Sequence, residues 1–344
     1  MSKFLHSIFH SIFLIFALSF LANAQKFKIV SDEAKQRIDI LIDGKLFTSY
    51  RYEERIRRPV LLPVMSAGGN FVTRGFPVET RNGETINHPH QVGVSFVYGD
   101  VHGFDFWNNS PFRSAEELKR MGKIVHRKVL KQKAINGKAE LVTKSDWISP
   151  KGETLLIENT IFVFSTDGKT RIIDRETTLR ANGQDVTFGD NKEGLFLIHL
   201  NRQLQQNNQF PVKITDENGN ISEAKTGENL TGEYLNSEGL IGEKIFGTLG
   251  KWASVSGKIN EENLTVAIFD NRANHNFEAA SMMVRPYGLL ALNPFGRKAY
   301  EPSAEARKFI LQRGKSIKFK HRLMIYAEKV ALEKIEIDFK NFNK

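Results

Sequence analysis

Six Asn-Gly or Asp-Gly pairs punctuate this chain: Asp43-Gly44, Asn82-Gly83, Asn136-Gly137, Asp167-Gly168, Asn182-Gly183 and Asn218-Gly219. Such pairs suit type I′ hairpin turns, in which both central residues take positive φ. Several sit between runs that read as strands: 37–42 with 45–52, 123–133 with 138–148, and 154–165 with 169–180. Further strands are expected at 194–201, 252–258, 264–270, 289–292 and 316–327. Helical signals are few. Ser114 and Glu117 form a capping-box pattern opening a short helix to Met121. Residues 328–342 suit a terminal helix, with Val330, Leu332, Ile335 and Phe339 apolar, and 302–313 reads as either helix or strand. Hairpins at this density predict an all-β fold, a large antiparallel β-sandwich with few short helices.

The N-terminus reads as a secretory signal over 1–24: Lys3, an apolar run over 12–22, and an Ala22-Asn23-Ala24 cleavage site. One β-sandwich domain over 25–344 is expected to follow, in an exported protein, periplasmic or extracellular. The chain has no cysteine, so disulfides and thiolate-ligated metals are excluded. Its net charge of +10 is dispersed. The densest cluster, Arg55, Arg57 and Arg58, comes with no nucleic-acid motif, and no later segment is apolar enough to span a bilayer.

Chemistry concentrates between Asn87 and Trp107, which hold three of the nine histidines and one of the three tryptophans. His88 and His90 are two apart, so on an extended segment both imidazoles share one face. With Arg74 they form an acid–base set and a charge to orient it. Asp105 beside Trp107 suits a sugar, with the indole as stacking platform and the acid bonding hydroxyls. Phe104 and Phe106 read as core. His126, on an expected strand, is a substrate-binding candidate; with His88 and His90 it could bind a divalent metal, but no spacing matches a strong zinc motif. No cofactor is required by the sequence. Asp190, Glu193, Glu238 and Glu243 are carboxylates in glycine-containing contexts; Glu193 and Glu238 are the acid–base candidates. Arg285, Tyr287 and Asn293 lie in a Gly- and Pro-rich block and could reach a cleft.

Eight blocks in order (VTRGFP, HPH, GDVHGFDFW, GKIVHR, FGDNKEG, NSEGLIGE, VAIFDN and RPYGLLALNPFG) resemble the secreted bacterial proteins labelled PmoA-family, or "methane oxygenase PmoA". The resemblance spans roughly residues 51–326. It implies a β-sandwich similar to galactose mutarotase, and by analogy carbohydrate chemistry. The chain departs from the pattern at Gln91 and Val92, where relatives continue HPHHRG. It departs again at Met282 and Met283, where relatives carry Trp-His. The leading expectation is a carbohydrate-active protein working by acid–base chemistry (hydrolysis, elimination or epimerisation) on a neutral or acidic sugar. A non-catalytic glycan-binding protein of the same fold is the alternative. A metal-dependent oxidoreductase, as the label suggests, is a third.

Overall fold

Strand formation follows the alternation of side chains. In Thr170–Ala181 residues 171, 173, 175, 177, 179 and 181 are buried, while 172, 174, 176 and 178 are half-buried. That is the period of two an extended chain requires. The computed structural model describes residues 26–135, 137–206, 211–224 and 229–344; the expected signal over 1–24 and the Asn136 turn position lie outside them.

Two eight-stranded sheets result. The first runs in space Phe27–Asp32, Arg37–Ile42, Lys45–Arg51, Val60–Val64, Val94–Tyr98, Gly194–His199, Leu289–Asn293 and Ser281–Met282. The second runs Glu233–Asn236, Trp252–Ile259, Glu262–Asp270, Ser316–Tyr326, Thr170–Ala181, Thr154–Thr166, Lys138–Ile148 and Lys123–Ile135. Neighbouring strands pair antiparallel in both. The fold is an all-β antiparallel sandwich.

The inner faces meet through aromatic residues. Phe47 stands edge-on to Phe164 at 6.0 Å, Phe96 packs on Phe319 at 5.8 Å, and Phe196 stacks on His321 at 4.7 Å. One ion pair is buried among them. Arg175 donates to Glu158 at 2.7 Å, and the other Glu158 oxygen accepts the Trp147 indole N–H at 2.8 Å. With both partners and the indole engaged, no charge in this trio is left uncompensated.

Turn chemistry departs from expectation. Asp43 (φ 51°) and Gly44 (φ 78°) both take positive φ, as type I′ demands. At the pairs beginning with Asn82, Asp167, Asn182 and Asn218 only the glycine does. The glycine there occupies the left-handed position that follows a type I turn.

The capping box on Ser114 and Glu117 forms, opening the helix Ala115–Leu118. The stretch 302–313 forms no helix and is largely turn and irregular, with only Phe309–Leu311 a strand, paired to Val186–Phe188. The terminal helix is Leu332–Phe342, starting later than expected because Val330 N–H donates to Thr265 Oγ1 on the sheet at 3.1 Å. Its Ile335 and Phe339 pack with Trp252, Phe269, Met324 and Tyr326, covering part of the outer face of the second sheet.

Candidate functional site

The strand Gly194–His199 organises the site. Phe196 meets His321 of the second sheet, so the even positions face the core and the odd positions face away. His199 ends this strand on the outward face. Glu193 precedes it on the same face, its C=O accepting from Gly99 N–H at 2.8 Å and so extending the ladder by one residue. Five residues lie between the two, a six-residue step of roughly 20 Å along the strand. The glycine at 99 permits this approach, since a Cβ there would stand 2.8 Å from the Glu193 Cβ.

The histidine loop lies near the His199 end. It is not extended: His88 takes φ 47°, and Gln91 N–H donates to His88 C=O at 3.0 Å. The two imidazoles converge through this turn rather than through strand alternation, with centroids 5.8 Å apart and planes at 74°. Arg74, fully buried, holds the turn from inside. Its guanidinium donates to the carbonyls of Thr85 (3.1 Å), Asn87 (2.7 Å), His88 (2.9 Å) and Gln91 (3.2 Å) and to Asn87 Oδ1 (3.0 Å). Arg58 does the same for the carbonyls of His90, at 2.9 Å, and Trp107, at 3.0 Å. The expectation that Arg74 orients substrate is therefore corrected: both its terminal nitrogens are engaged within the loop, on backbone oxygens and Asn87 Oδ1, and its Nε is buried.

From the loop a chain of contacts runs outward. His88 stacks on Tyr287 at 4.4 Å and 8°. Gln91 donates through Nε2 to the Tyr287 hydroxyl at 3.2 Å, and its Oε1 lies 3.0 Å from His199 Nδ1. One amide thus sets the positions of two rings, His199 carrying its proton on Nδ1. Replacing it with leucine leaves two polar groups unpaired. Gln91→Leu is expected to cost about 1–3 kcal/mol, read as a lower urea midpoint; an unchanged midpoint would remove the bridge from the account.

Burial, with Arg74 and Arg285 nearby, pushes the His88 pKa down to about 4. Burial, with Arg58 the largest charge, pushes His90 down to about 3. Both imidazoles are neutral at pH 7. Glu193 moves the opposite way. Burial raises its carboxyl to about 7, with Asp105 adding to the rise and Lys192 and Arg285 opposing it. Its Oε2 is buried without a hydrogen-bond partner among the described residues. Arg285, whose guanidinium carbon stands 3.4 Å from the Phe246 ring centroid, is the cation that His88, Tyr287 and Glu193 all feel. The site thus combines a carboxyl balanced between its two states, neutral imidazoles, one arginine and a half-buried tyrosine.

The remaining expected residues fall elsewhere. Trp107 is wholly buried in the core, its indole N–H unpartnered among the described residues, and offers no stacking platform. Asp105 caps its own turn, accepting from the N–H groups of Trp107 (2.8 Å) and Asn108 (2.9 Å), and reaches the site only through its charge. Asn293 is buried and occupied, its Oδ1 accepting from Phe295 and Gly296 and its Nδ2 donating to Asn191. Glu238 is exposed on a turn and accepts from Ser237. It does not meet Glu193 as a second carboxylate. His126 lines a different cleft, so His88, His90 and His126 do not assemble. No group of three or more metal-ligating side chains forms among the described residues. Val92, Met282 and Met283 are core residues. Sequence reasoning missed His199, which ends an otherwise apolar strand; its spacing of six from Glu193 was the available signal.

A family of unknown function, DUF6807, matches residues 37–340, and the chain belongs to it. No curated protein matches by sequence. Among solved structures, the chain is similar to the GH36 α-galactosidase AgaB of Geobacillus stearothermophilus, with 9% identity and a TM-score of 0.44 over 88% of this chain and 41% of that one. It thus spans about two fifths of that enzyme's length. A galactose mutarotase related enzyme from Lactobacillus acidophilus matches at 9% identity and TM-score 0.35, over 89% of this chain and 100% of its own. The Slr1438 protein of Synechocystis sp. PCC 6803 matches at 9% and 0.35, over 88% and 96%. Likenesses this remote assign no chemistry.

Proposed function

We propose that this DUF6807 chain is a carbohydrate-active protein that moves protons on a sugar bound across the outward face of the first sheet. The observation that carries the reading is Glu193, a carboxyl lifted to about 7 beside Arg285. A group balanced near the working pH serves best as acid and base in turn. Toward the His199 end, neutral His88 and the Tyr287 stacked on it can hydrogen-bond a sugar hydroxyl without ionising. Double displacement at a glycosidic bond needs a second carboxylate about 5–5.5 Å away, and inverting hydrolysis one at about 6.5–9.5 Å. Glu238 does not fill either role, and Asp105 is tied to its turn. Epimerisation or anomer exchange of a free sugar therefore fits better than hydrolysis. In anomer exchange Glu193 takes the proton from the C1 hydroxyl as the bond from C1 to the ring oxygen breaks and a C1 carbonyl forms. The ring oxygen, its developing charge stabilised by Arg285, takes a proton from solvent. Closure on the other face of the carbonyl reverses these steps and returns the proton from Glu193. The PmoA-like sequence blocks support the same site, since they carry His88, Glu193, Arg285 and Tyr287. Export, suggested by residues 1–24, would place this chemistry in the periplasm or outside the cell.

A non-catalytic glycan-binding role is the second reading. It is favoured by Val92, Met282 and Met283, which fill core where the resembled proteins carry arginine, tryptophan and histidine. Proton NMR of the mature protein with a panel of free aldoses and simple galactosides separates the two. Anomer exchange or epimerisation above the uncatalysed rate, fastest near pH 7, supports the enzyme. Ligand line-broadening with no change in exchange rate supports binding alone. Neither effect with any sugar sinks both.

A further inference from the structure

A cleft of about 680 Å³ opens between Phe27–Asp32 of the first sheet and the edge strand Lys123–Ile135 of the second. That volume lies within the range of small-ligand sites. It is separate from the Glu193 site, with Arg58, which also holds the His90 carbonyl, as the shared wall. Tyr52 and His126, both half-buried, line it with their rings 4.3 Å apart and tilted by 36°. Tyr50, buried behind them, bonds His126 Nδ1 at 3.0 Å.

Arg57 is the second part. It takes the left-handed conformation, φ 64°, unusual for a residue with a side chain. Its carbonyl accepts from Ile124 N–H at 3.0 Å, fixing it against the edge strand. Its side chain has no hydrogen-bond or ion-pair partner among the described residues, and its Nε is buried. Of the charges around it, Lys123 pairs with Glu54, Arg127 with Asp146 and Glu53 with Arg51, while Glu33 and Lys128, also on the lining, form no ion pair among the described residues. A half-buried guanidinium with an unsatisfied buried donor is matched by a planar anion.

We propose that this cleft is a second binding site, which takes the ring of a uronic acid against the Tyr52–His126 pair and its carboxylate on Arg57. Such a site would hold an acidic polysaccharide chain on the protein without taking part in chemistry at Glu193. Its occupant is read by one flat apolar face and one carboxylate, so a neutral sugar of equal size binds poorly.

The test is isothermal calorimetry of the mature protein with digalacturonate and, in parallel, galactobiose. Digalacturonate is expected to bind at least about ten-fold more tightly than galactobiose. Arg57→Gln should lose about ten-fold or more, and Tyr52→Ala should weaken binding as well. Glu193→Gln should leave it unchanged, which separates this site from the proposed reaction. Equal binding of the two sugars, no binding of digalacturonate, or an unaltered affinity in Arg57→Gln would each overturn the assignment.

Discussion

Arg74→Ala is expected to lower the unfolding free energy by about 3–5 kcal/mol. The side chain is fully buried and donates to four backbone carbonyls between Thr85 and Gln91. Alanine removes the donors and leaves the acceptors in place, away from water. Arg74→Lys should recover little, because an ammonium on a flexible stem cannot present donors in a planar fork. Urea titration reads the effect as a shifted midpoint at unchanged slope. The histidine loop should loosen first, seen as faster amide exchange at Gln91. A loss below about 1 kcal/mol in the alanine variant would mean that the loop supports itself and that Arg74 has another task.

Glu193→Gln should abolish most turnover while making the protein more stable at alkaline pH. The two effects share a cause. The folded carboxyl titrates at about 7 against an ordinary 4.5. Between those values the folded state holds a proton that the unfolded chain has released, so stability falls as pH rises through that window. Above about pH 7 the penalty is complete. Glutamine cannot ionise and escapes it. The variant should match the parent below about pH 4.5 and exceed it at about pH 8 by roughly 1–2 kcal/mol, allowing for partial exposure. Loss of an acid–base group should cost about 10²–10⁴-fold in rate. Melting curves of parent and variant at both pH values test the sign. A variant less stable than the parent at pH 8 would show that the carboxylate is held by a partner, and it would lose its claim to act as a base.

Much of this architecture is legible in the residues. The long hairpins show in alternation and turn pairs, because a strand with one face buried must write its period into the sequence. Which strands share a sheet is not written there: Ser316–Tyr326 lies between Glu262–Asp270 and Thr170–Ala181, a pairing set by long-range contacts. At the site, His88, His90, Glu193, Arg285 and Tyr287 were nameable by residue type and context. Type alone misjudged others. Trp107 has the chemistry of a sugar platform, but its burial is decided by what packs over it. Arg74 has the charge of a ligand-binding group, but its donors face carbonyls whose position no linear pattern reveals. Gln91 reads as a lost histidine, whereas in three dimensions it joins His199 to Tyr287.

The placement of Glu193 and His199 on one face has a consequence for how such sequences can diverge. Side chains along a strand alternate sides, so one added or deleted residue within Gly194–His199 would turn one end of the site into the core. Length changes here must come in pairs or be absorbed by a bulge, whereas the loops on either side are free to vary. Homologues that keep the acid and the histidine should therefore keep an odd number of residues between them.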